Sequence, residues 1–285
     1  MSIELTGVSK YYGRTCALDR VDLALEPGHI YGLLGRNGAG KTTLLNLITG
    51  RIFPDEGQIL VDGERALERD EAQEKVFFAG EQTYYPGNMA VRDVLYWAGR
   101  FYPGLDRAQA GRLCDRFAID TKKKLETLST GSRSLVKNIL ALSAGTPYIL
   151  LDEPVLGLDA YHREQFYQEL RTVFQRRGDL TVVLSTHLIE EVSQVVERVV
   201  ILKKGRVLEN ASRESLLSQG YTLSGPAGLV DRFAVGKKLG EDLLGGLKSA
   251  YLLGQPPEEL APGLEVAPLG LQKLFIQLTG EEERA

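Results

Sequence analysis

"IYGLLGRNGAGKTTLL", residues 30–45, is the stretch on which the reading of this chain turns. Ile30–Leu34 is a short apolar run, the length of a buried strand rather than of a helix. Gly35 to Thr43 follows, with glycines at 35, 38 and 40 and then Lys41-Thr42-Thr43. Glycines let a loop curl so that successive N–H groups point inward, and such a nest of amides holds an anion. A helix starting where the loop ends adds the positive end of its dipole. The spacing G-x-x-x-x-G-K-[ST] is met at every fixed position, by Gly35, Gly40, Lys41 and Thr42. Between a strand and a helix it reads as a loop that cradles nucleotide phosphates. The backbone of Asn37, Gly38, Ala39 and Gly40 surrounds the oxygens, with Thr43 beside them. Lys41 reaches the β- and γ-phosphates, and the Thr42 hydroxyl ligates Mg2+. A glycine-rich turn with a chance Lys-Thr is the bland alternative, and the strand-to-helix context argues against it.

A phosphate loop of this kind needs a carboxylate for its metal. "YILLDEP", Tyr148–Pro154, supplies one at the end of an apolar strand. Asp152 is placed to hold Mg2+ directly or through water, and Glu153 to orient or deprotonate the attacking water.

The other strands are read from their patterns. Leu18–Leu25 alternates apolar and polar, as a half-buried strand does, and Thr181–Ser185 and Arg198–Leu202 are apolar runs. Helical patterns such as Ala160–Arg177 separate them, which implies parallel pairing and an α/β fold. From Pro86 to Ala144 only helical patterns occur, and beyond about Ser212 glycine and proline become frequent. The expected organisation is therefore a P-loop NTPase core over residues 1–212. It carries an inserted helical subdomain at about 83–145, and residues 213–285 form a small C-terminal α+β accessory domain. The last helix is expected at Leu271–Thr279, followed by an acidic tail read as solvated.

Composition narrows the classes. The chain has 285 residues, a formal net charge of −4 and 25% charged residues. It gives no reason to expect a nucleic-acid partner. Cys16 and Cys114 are its two cysteines, too few and too far apart for a zinc module or a disulfide framework. No secretory signal opens the chain and no apolar run approaches membrane-spanning length. The expected location is the cytosol, unless a partner holds the chain at a membrane.

These motifs, taken together, resemble the nucleotide-binding subunits of ABC transporters, over about residues 1–212. The resemblance rests on "GRNGAGKTT", "YILLDEP", the following "VLGLDA", "STH" at Ser185–His187, Gln82 in "FFAGEQTYYPG" and the aromatics in "SKYYGRT". It implies that Tyr12 stacks on adenine, with Tyr11 the other choice. It implies that Gln82 senses Mg2+ and the γ-phosphate, that His187 contacts the γ-phosphate, and that Asp159 lies in a loop facing a second subunit. ATP and Mg2+ are the implied cofactors.

The family's Leu-Ser-Gly-Gly-Gln loop is here Leu128-Ser129-Thr130-Gly131-Ser132. By resemblance, Ser129 and Gly131 contact the ATP held by the other copy's P-loop, in an ATP-sandwich dimer of two copies of this chain. A helix is expected to begin near Ser132. Thr130 and Ser132 depart from the pattern, and the reading is a working site with altered interface contacts.

Other P-loop classes fit less well. No N-K-x-D guanine-reading motif occurs, one P-loop excludes the two-cassette translation factors, and no sustained heptads lie between Lys41 and Ser129. The expected function is an ATPase that powers a membrane transporter through a separately encoded transmembrane permease, peripheral to the cytoplasmic face of the membrane. The permease is expected beside Tyr84, Tyr85, Met89 and Tyr102, with Val91 and Trp97 assigned to the subdomain's own core. Leu-Ser-Thr-Gly, the "EPVLGLDA" stretch and the C-terminal region resemble bacterial exporters of peptides and antibiotics. A non-transport ABC ATPase acting on a soluble macromolecule is the alternative.

Overall fold

The computed structural model describes residues 2–67, 69–80 and 85–280. β1 (Ile3–Tyr12) and β2 (Thr15–Leu25) form a hairpin; β3 (Ile30–Gly35) runs into the glycine-rich loop and α1 (Lys41–Ile48). β4 (Glu56–Val61), β5 (Glu64–Arg65), α2 (Asp70–Gln73) and β6 (Val76–Ala79) follow. Three helices come next, α3 (Val91–Phe101), α4 (Arg107–Arg116) and α5 (Thr130–Ser143). β7 (Tyr148–Asp152), α6 (Ala160–Arg176), β8 (Thr181–Ser185), α7 (Ile189–Val192), β9 (Arg198–Lys203) and β10 (Arg206–Ser212) close the core. Beyond it lie α8 (Arg213–Ser218), β11 (Gly220–Pro226), α9 (Ala227–Phe233), β12 (Lys237–Leu244), β13 (Leu247–Leu253), β14 (Glu265–Pro268) and α10 (Leu271–Thr279).

The central sheet has the order β10-β9-β3-β8-β7-β6, parallel except for β10. β3, β7 and β8 are buried along their whole length, which is why they read as continuous apolar runs. Their side chains still alternate between two faces. Tyr31, Leu33, Tyr148, Leu150 and Val183 pack in one cluster with α1 and the first hairpin. Ile30, Leu34, Ile149, Leu151 and Val182 pack in the other with α5, α6 and α7. The sheet is thus a middle layer, and the carboxyl ends of β3, β7 and β8 meet at one edge, where Asp152 pairs with Ser185. In such sheets ligands bind outside those ends.

A second sheet, β2-β1-β4-β5, is antiparallel throughout. This corrects the expectation of uniform parallel pairing. Leu18–Leu25 is a half-buried strand, but its neighbour is β1, joined by a short turn that only antiparallel strands can use. Residues 91–143 hold α3, α4 and α5 with connecting turns, and one isolated bridge joins Ala90 to Lys124.

After Ser212, an antiparallel sheet of order β12-β13-β11-β14 packs on α9 around Tyr221, Leu223, Val230 and Leu252. α10 belongs elsewhere: Leu271, Leu274 and Phe275 join the α5–α7 core together with Val192. Lys203 Nζ on β9 donates to the carbonyls of Leu278 and Gly280, at 2.9 and 3.1 Å. A cation there complements the negative end of the helix. The acidic tail lies outside the described residues.

Candidate functional site

The glycine-rich loop has the backbone its sequence requires. Gly38 and Gly40 hold φ of +78° and +108°, a region that L side chains rarely enter. Space also forbids a side chain at Gly40, since a Cβ there would stand 2.7 Å from the Ala17 carbonyl of β2. Gly40 then opens α1. Asn37 and Gly38 are exposed at the loop tip, Ala39 is buried, and Thr43 sits one residue into the helix beyond Thr42. Lys41 is buried, and its Nζ donates to the Gly35 carbonyl at 2.6 Å. Burial pushes its pKa down, and the carboxylates of Glu153 and Asp152 push the other way.

The acidic pair faces this loop. Thr42 Oγ1 donates to Asp152 Oδ2 at 2.7 Å, and Ser185 Oγ donates to Oδ1, also at 2.7 Å. A hydroxyl and a carboxylate are hard oxygen donors of the kind Mg2+ takes, usually one or two from protein with phosphate and water completing the shell. The donor set therefore fits that ion.

Glu153 sits at φ +51°, a left-handed conformation costing about 1–2 kcal/mol in a non-glycine residue. Its N–H donates to the Ser185 carbonyl at 2.8 Å, which helps hold the turn. Its Oε2 accepts from Thr186 Oγ1 at 3.2 Å and faces His187 Nδ1 at 3.0 Å. Since a carboxylate only accepts, Nδ1 carries the proton in this pair, which leaves the other ring nitrogen for a further partner. Strain of this sort collects where side-chain direction is functional.

The remaining sequence candidates are placed as follows. Tyr11 and Tyr12, at the end of β1, are both exposed, and alternation turns them to opposite faces. Lys10 Nζ lies 5.8 Å from the Tyr12 ring centre. Asp159 caps α6, accepting from the His162 N–H at 2.9 Å. Gln82 and Tyr84 lie outside the described residues.

Leu128-Ser129-Thr130-Gly131-Ser132 resolves into a helix start. α5 begins at Thr130, two residues earlier than expected, with Ser129 as its N-cap. Ser129 Oγ accepts from the Ser132 N–H at 3.1 Å and donates to Ser132 Oγ at 3.0 Å. Thr130 takes an ordinary first-turn position, so the loss of glycine there carries no backbone strain. Gly131 is different. A Cβ on it would lie 2.5 Å from the Gly157 carbonyl, so the glycine common to this loop and the family pattern is required by a close backbone approach. Ser134 Oγ donates to Leu156 O and Asn138 to Pro154 O, at 3.0 and 2.8 Å. α5 is thereby fastened to the segment that carries Glu153 and Asp159.

A groove of about 700 Å³ is lined by Phe77, Phe78, Tyr85, Met89, Trp97 and Tyr102 among others. Val91 is fully buried, as expected, but Trp97 is 46% exposed and faces this groove. Its assignment to the core is corrected: α3 turns Val91, Val94 and Ala98 inward, and Trp97 falls off that stripe. Sequence reading also missed Ser185, whose hydroxyl holds Asp152; only the register of β7 and β8 reveals it.

With this geometry in place, comparison with known proteins is consistent. A family model described as ABC transporter matches residues 18–156. The ABC transporter ATP-binding protein YtrB of Bacillus subtilis is 33% identical over 201 residues, covering 70% of this chain and 68% of that protein. The Nod factor export ATP-binding protein I of Burkholderia orbicola is 29% identical over 303 aligned positions, covering 98% of this chain and 97% of its own length. Proteins named for sulfate/thiosulfate import are also among the relatives. A dimeric ATP-binding cassette in a post-hydrolysis state, bound to ADP and Pi, superposes with a TM-score of 0.65 at 27% identity, covering 74% of this chain and 98% of that one.

Proposed function

The chain belongs to the ATP-binding subunits of ABC transporters, and on that premise we propose that it is the ATP-driven motor of an exporter. ATP hydrolysis is the activity of the family. The observation that carries the assignment of roles is the convergence of Lys41, Thr42, Asp152, Glu153 and His187 at one sheet edge.

In this reading the glycine-rich loop and Lys41 hold the β- and γ-phosphates. Thr42 and Asp152, with Gln82, hold Mg2+, which when bound neutralises charge on the phosphates. Glu153 orients and deprotonates the attacking water, and His187 holds Glu153 at one ring nitrogen while offering the other to the γ-phosphate. Tyr12 stacks on the base. Ser129 and Gly131 of a second copy close the site, and the dimeric state of a similar cassette supports the presence of that second copy.

Export is supported by coverage. A protein named for export aligns over 98% of the chain, residues beyond 212 included, whereas relatives named for import cover 73% to 84% of it. The exposed aromatic groove is the surface offered to a separately encoded permease, since interfaces favour aromatics and methionine. Among the described residues no helix is long and apolar enough to cross a membrane. Peptides or antibiotics are the proposed cargo.

The test is co-expression with a candidate permease, a membrane protein encoded by a neighbouring gene. A stable detergent-solubilised complex, with ATP turnover responding to the permease and peptide-antibiotic tolerance lost in Lys41→Ala, is expected. A protein that hydrolyses ATP but forms no complex with that membrane protein would return the reading to an ATPase acting on a soluble macromolecule.

A further inference from the structure

The loop carrying Asp159 and the segment carrying His187 are joined by one side chain. Arg163, in the first turn of α6, donates from Nε to the Leu158 carbonyl at 2.9 Å and from NH1 to Glu191 Oε1 at 2.6 Å. Leu158 immediately precedes Asp159. Glu191 is on α7, four residues after His187, and His187 rests on Glu153. The path from the Asp159 loop to the catalytic carboxylate is therefore Leu158, Arg163, Glu191, α7, His187 and Glu153.

Two features make this more than a surface ion pair. The other oxygen of Glu191 is buried and has no hydrogen-bond partner among the described residues, and neither has the buried hydroxyl of Tyr167, one turn along α6 from Arg163. Burial, and then the charge of Glu191, push the Tyr167 phenol's pKa up, with a further contribution from Glu153. A phenol is neutral or negative and never a cation, so it cannot replace Arg163 as a counter-charge to Glu191. Arg163 and Glu191 also stand in the wall of a polar cavity of about 210 Å³ between α6 and α7. Close packing does not lock the pair there, which leaves it room to rearrange. A guanidinium suits the task because its fixed fork serves two acceptors at once, one on each element.

We propose that Arg163 is a positioning residue that couples the Asp159 loop to the His187–Glu153 pair, so that closure against a second copy sets the catalytic geometry. The proposal rests on the dimeric reading given under Proposed function. It needs no contact between Arg163 and nucleotide.

The experiment uses the full chain. Turnover, ATP affinity, melting temperature and the dependence of rate on protein concentration are measured for wild type, Arg163→Ala, Arg163→Lys, Glu191→Gln and Arg163→Ala with Glu191→Gln. Kcat is expected to fall about tenfold in Arg163→Ala, within the range of ordinary inter-site couplings, with ATP affinity unchanged. Arg163→Lys recovers part of the rate, since lysine can pair with Glu191 but cannot hold both acceptors in one plane. The double variant is expected to be no slower than the slower single variant, as for two residues acting through one link. Glu191→Gln keeps the side chain's shape and a hydrogen-bond acceptor, so it reports on the link even if Arg163→Ala folds poorly. Unchanged kcat in both Arg163→Ala and Glu191→Gln, or a loss of kcat matched by an equal loss of ATP affinity, would overturn the proposal. A wild-type rate per subunit that is independent of protein concentration while the protein is monomeric would instead overturn the dimeric reading beneath it.

Discussion

Thr42 and Asp152, 110 positions apart, are joined by a 2.7 Å hydrogen bond from the Thr42 hydroxyl to the Asp152 carboxylate. The bond ties the first turn of α1 to the end of β7. Ser185, at the end of the neighbouring β8, takes the other carboxylate oxygen. Thr42 and Asp152, two of the metal ligands proposed above, are thus oriented by the fold itself. Ion binding then needs the Thr42 hydroxyl to turn from donor to ligand, with little backbone change. Preorganised groups of this kind contribute most where charge develops.

Lys41 is the main positive charge in that site, held against the Gly35 carbonyl. Lys41→Ala is expected to lower ATP turnover by ~10²-fold or more, the scale of losing a principal electrostatic stabiliser. Circular dichroism should stay that of wild type. Wild-type turnover in the purified variant would refute the assignment.

Much of this site was legible because phosphate chemistry constrains sequence locally. Gly38, Gly40, Lys41 and Thr42 are fixed by backbone freedom and reach, and Asp152 and Glu153 follow an apolar strand that announces itself. What escaped was set by contacts distant in sequence. Ser185 becomes a partner of Asp152 only through strand register. The antiparallel sheet was hidden because a half-buried strand alternates in the same way whichever neighbour it has. Trp97 was assigned inward because its type favours burial, although the α3 stripe of Val91, Val94 and Ala98 leaves it outside.

The start of α5 gives a contrast between neighbouring residues. Ser132→Gln leaves intact the bond from the residue-132 N–H to Ser129 and is expected to preserve or raise turnover. Gly131→Ala places a methyl 2.5 Å from the Gly157 carbonyl. It is expected to destabilise the fold by about 1–3 kcal/mol, as overpacking does, and to slow turnover. Urea unfolding and an ATPase assay on both variants check this. Wild-type stability in Gly131→Ala would show that the approach of the two backbones is not required.

Asp62 links the β4–β5 turn to the central sheet, accepting from Tyr148 OH at 2.5 Å, Lys75 at 2.9 Å and the Ser2 N–H at 2.9 Å. Burial acts to raise its pKa, but the bonds from Tyr148, Lys75 and Ser2 outweigh it and the pKa is lowered. A lowered folded pKa gives stability that is full above the unfolded value of about 3.9 and is lost as pH falls through the folded value. Asp62→Asn is expected to cost on the order of 1–3 kcal/mol at pH 7, the scale of hydrogen bonds to a charged group. The gap from wild type should close as pH falls from the unfolded carboxylate value of about 3.9 through the lowered folded value. Unfolding curves at pH 7, 5 and 3 measure it, and a gap independent of pH would contradict the charged role of Asp62.

The last prediction concerns assembly. Each chain holds a phosphate loop, Glu153 and a Ser129 helix start. On the dimeric reading proposed above, the Ser129 loop of one copy lies over the phosphates held by the other. A head-to-tail pair about a twofold axis makes both contacts at once and yields two equal ATP sites. ATP then binds the closed pair better than the open one, so hydrolysis shifts the population toward opening, and that motion passes to the membrane partner. Glu153→Gln keeps the side-chain shape and the ATP contacts but removes the base, so it should trap the closed pair. Light scattering is expected to show a dimer for Glu153→Gln with ATP and Mg2+, and a monomer without them. Adding Ser129→Arg should abolish the dimer, because a long cationic side chain replaces the small N-cap at the surface that must close. The proposed permease would hold the two copies close and raise their effective concentration, so the measurement is repeated on the full complex. A Glu153→Gln chain that binds ATP yet shows no ATP-dependent closure in either setting would leave Ser129 as a helix cap alone.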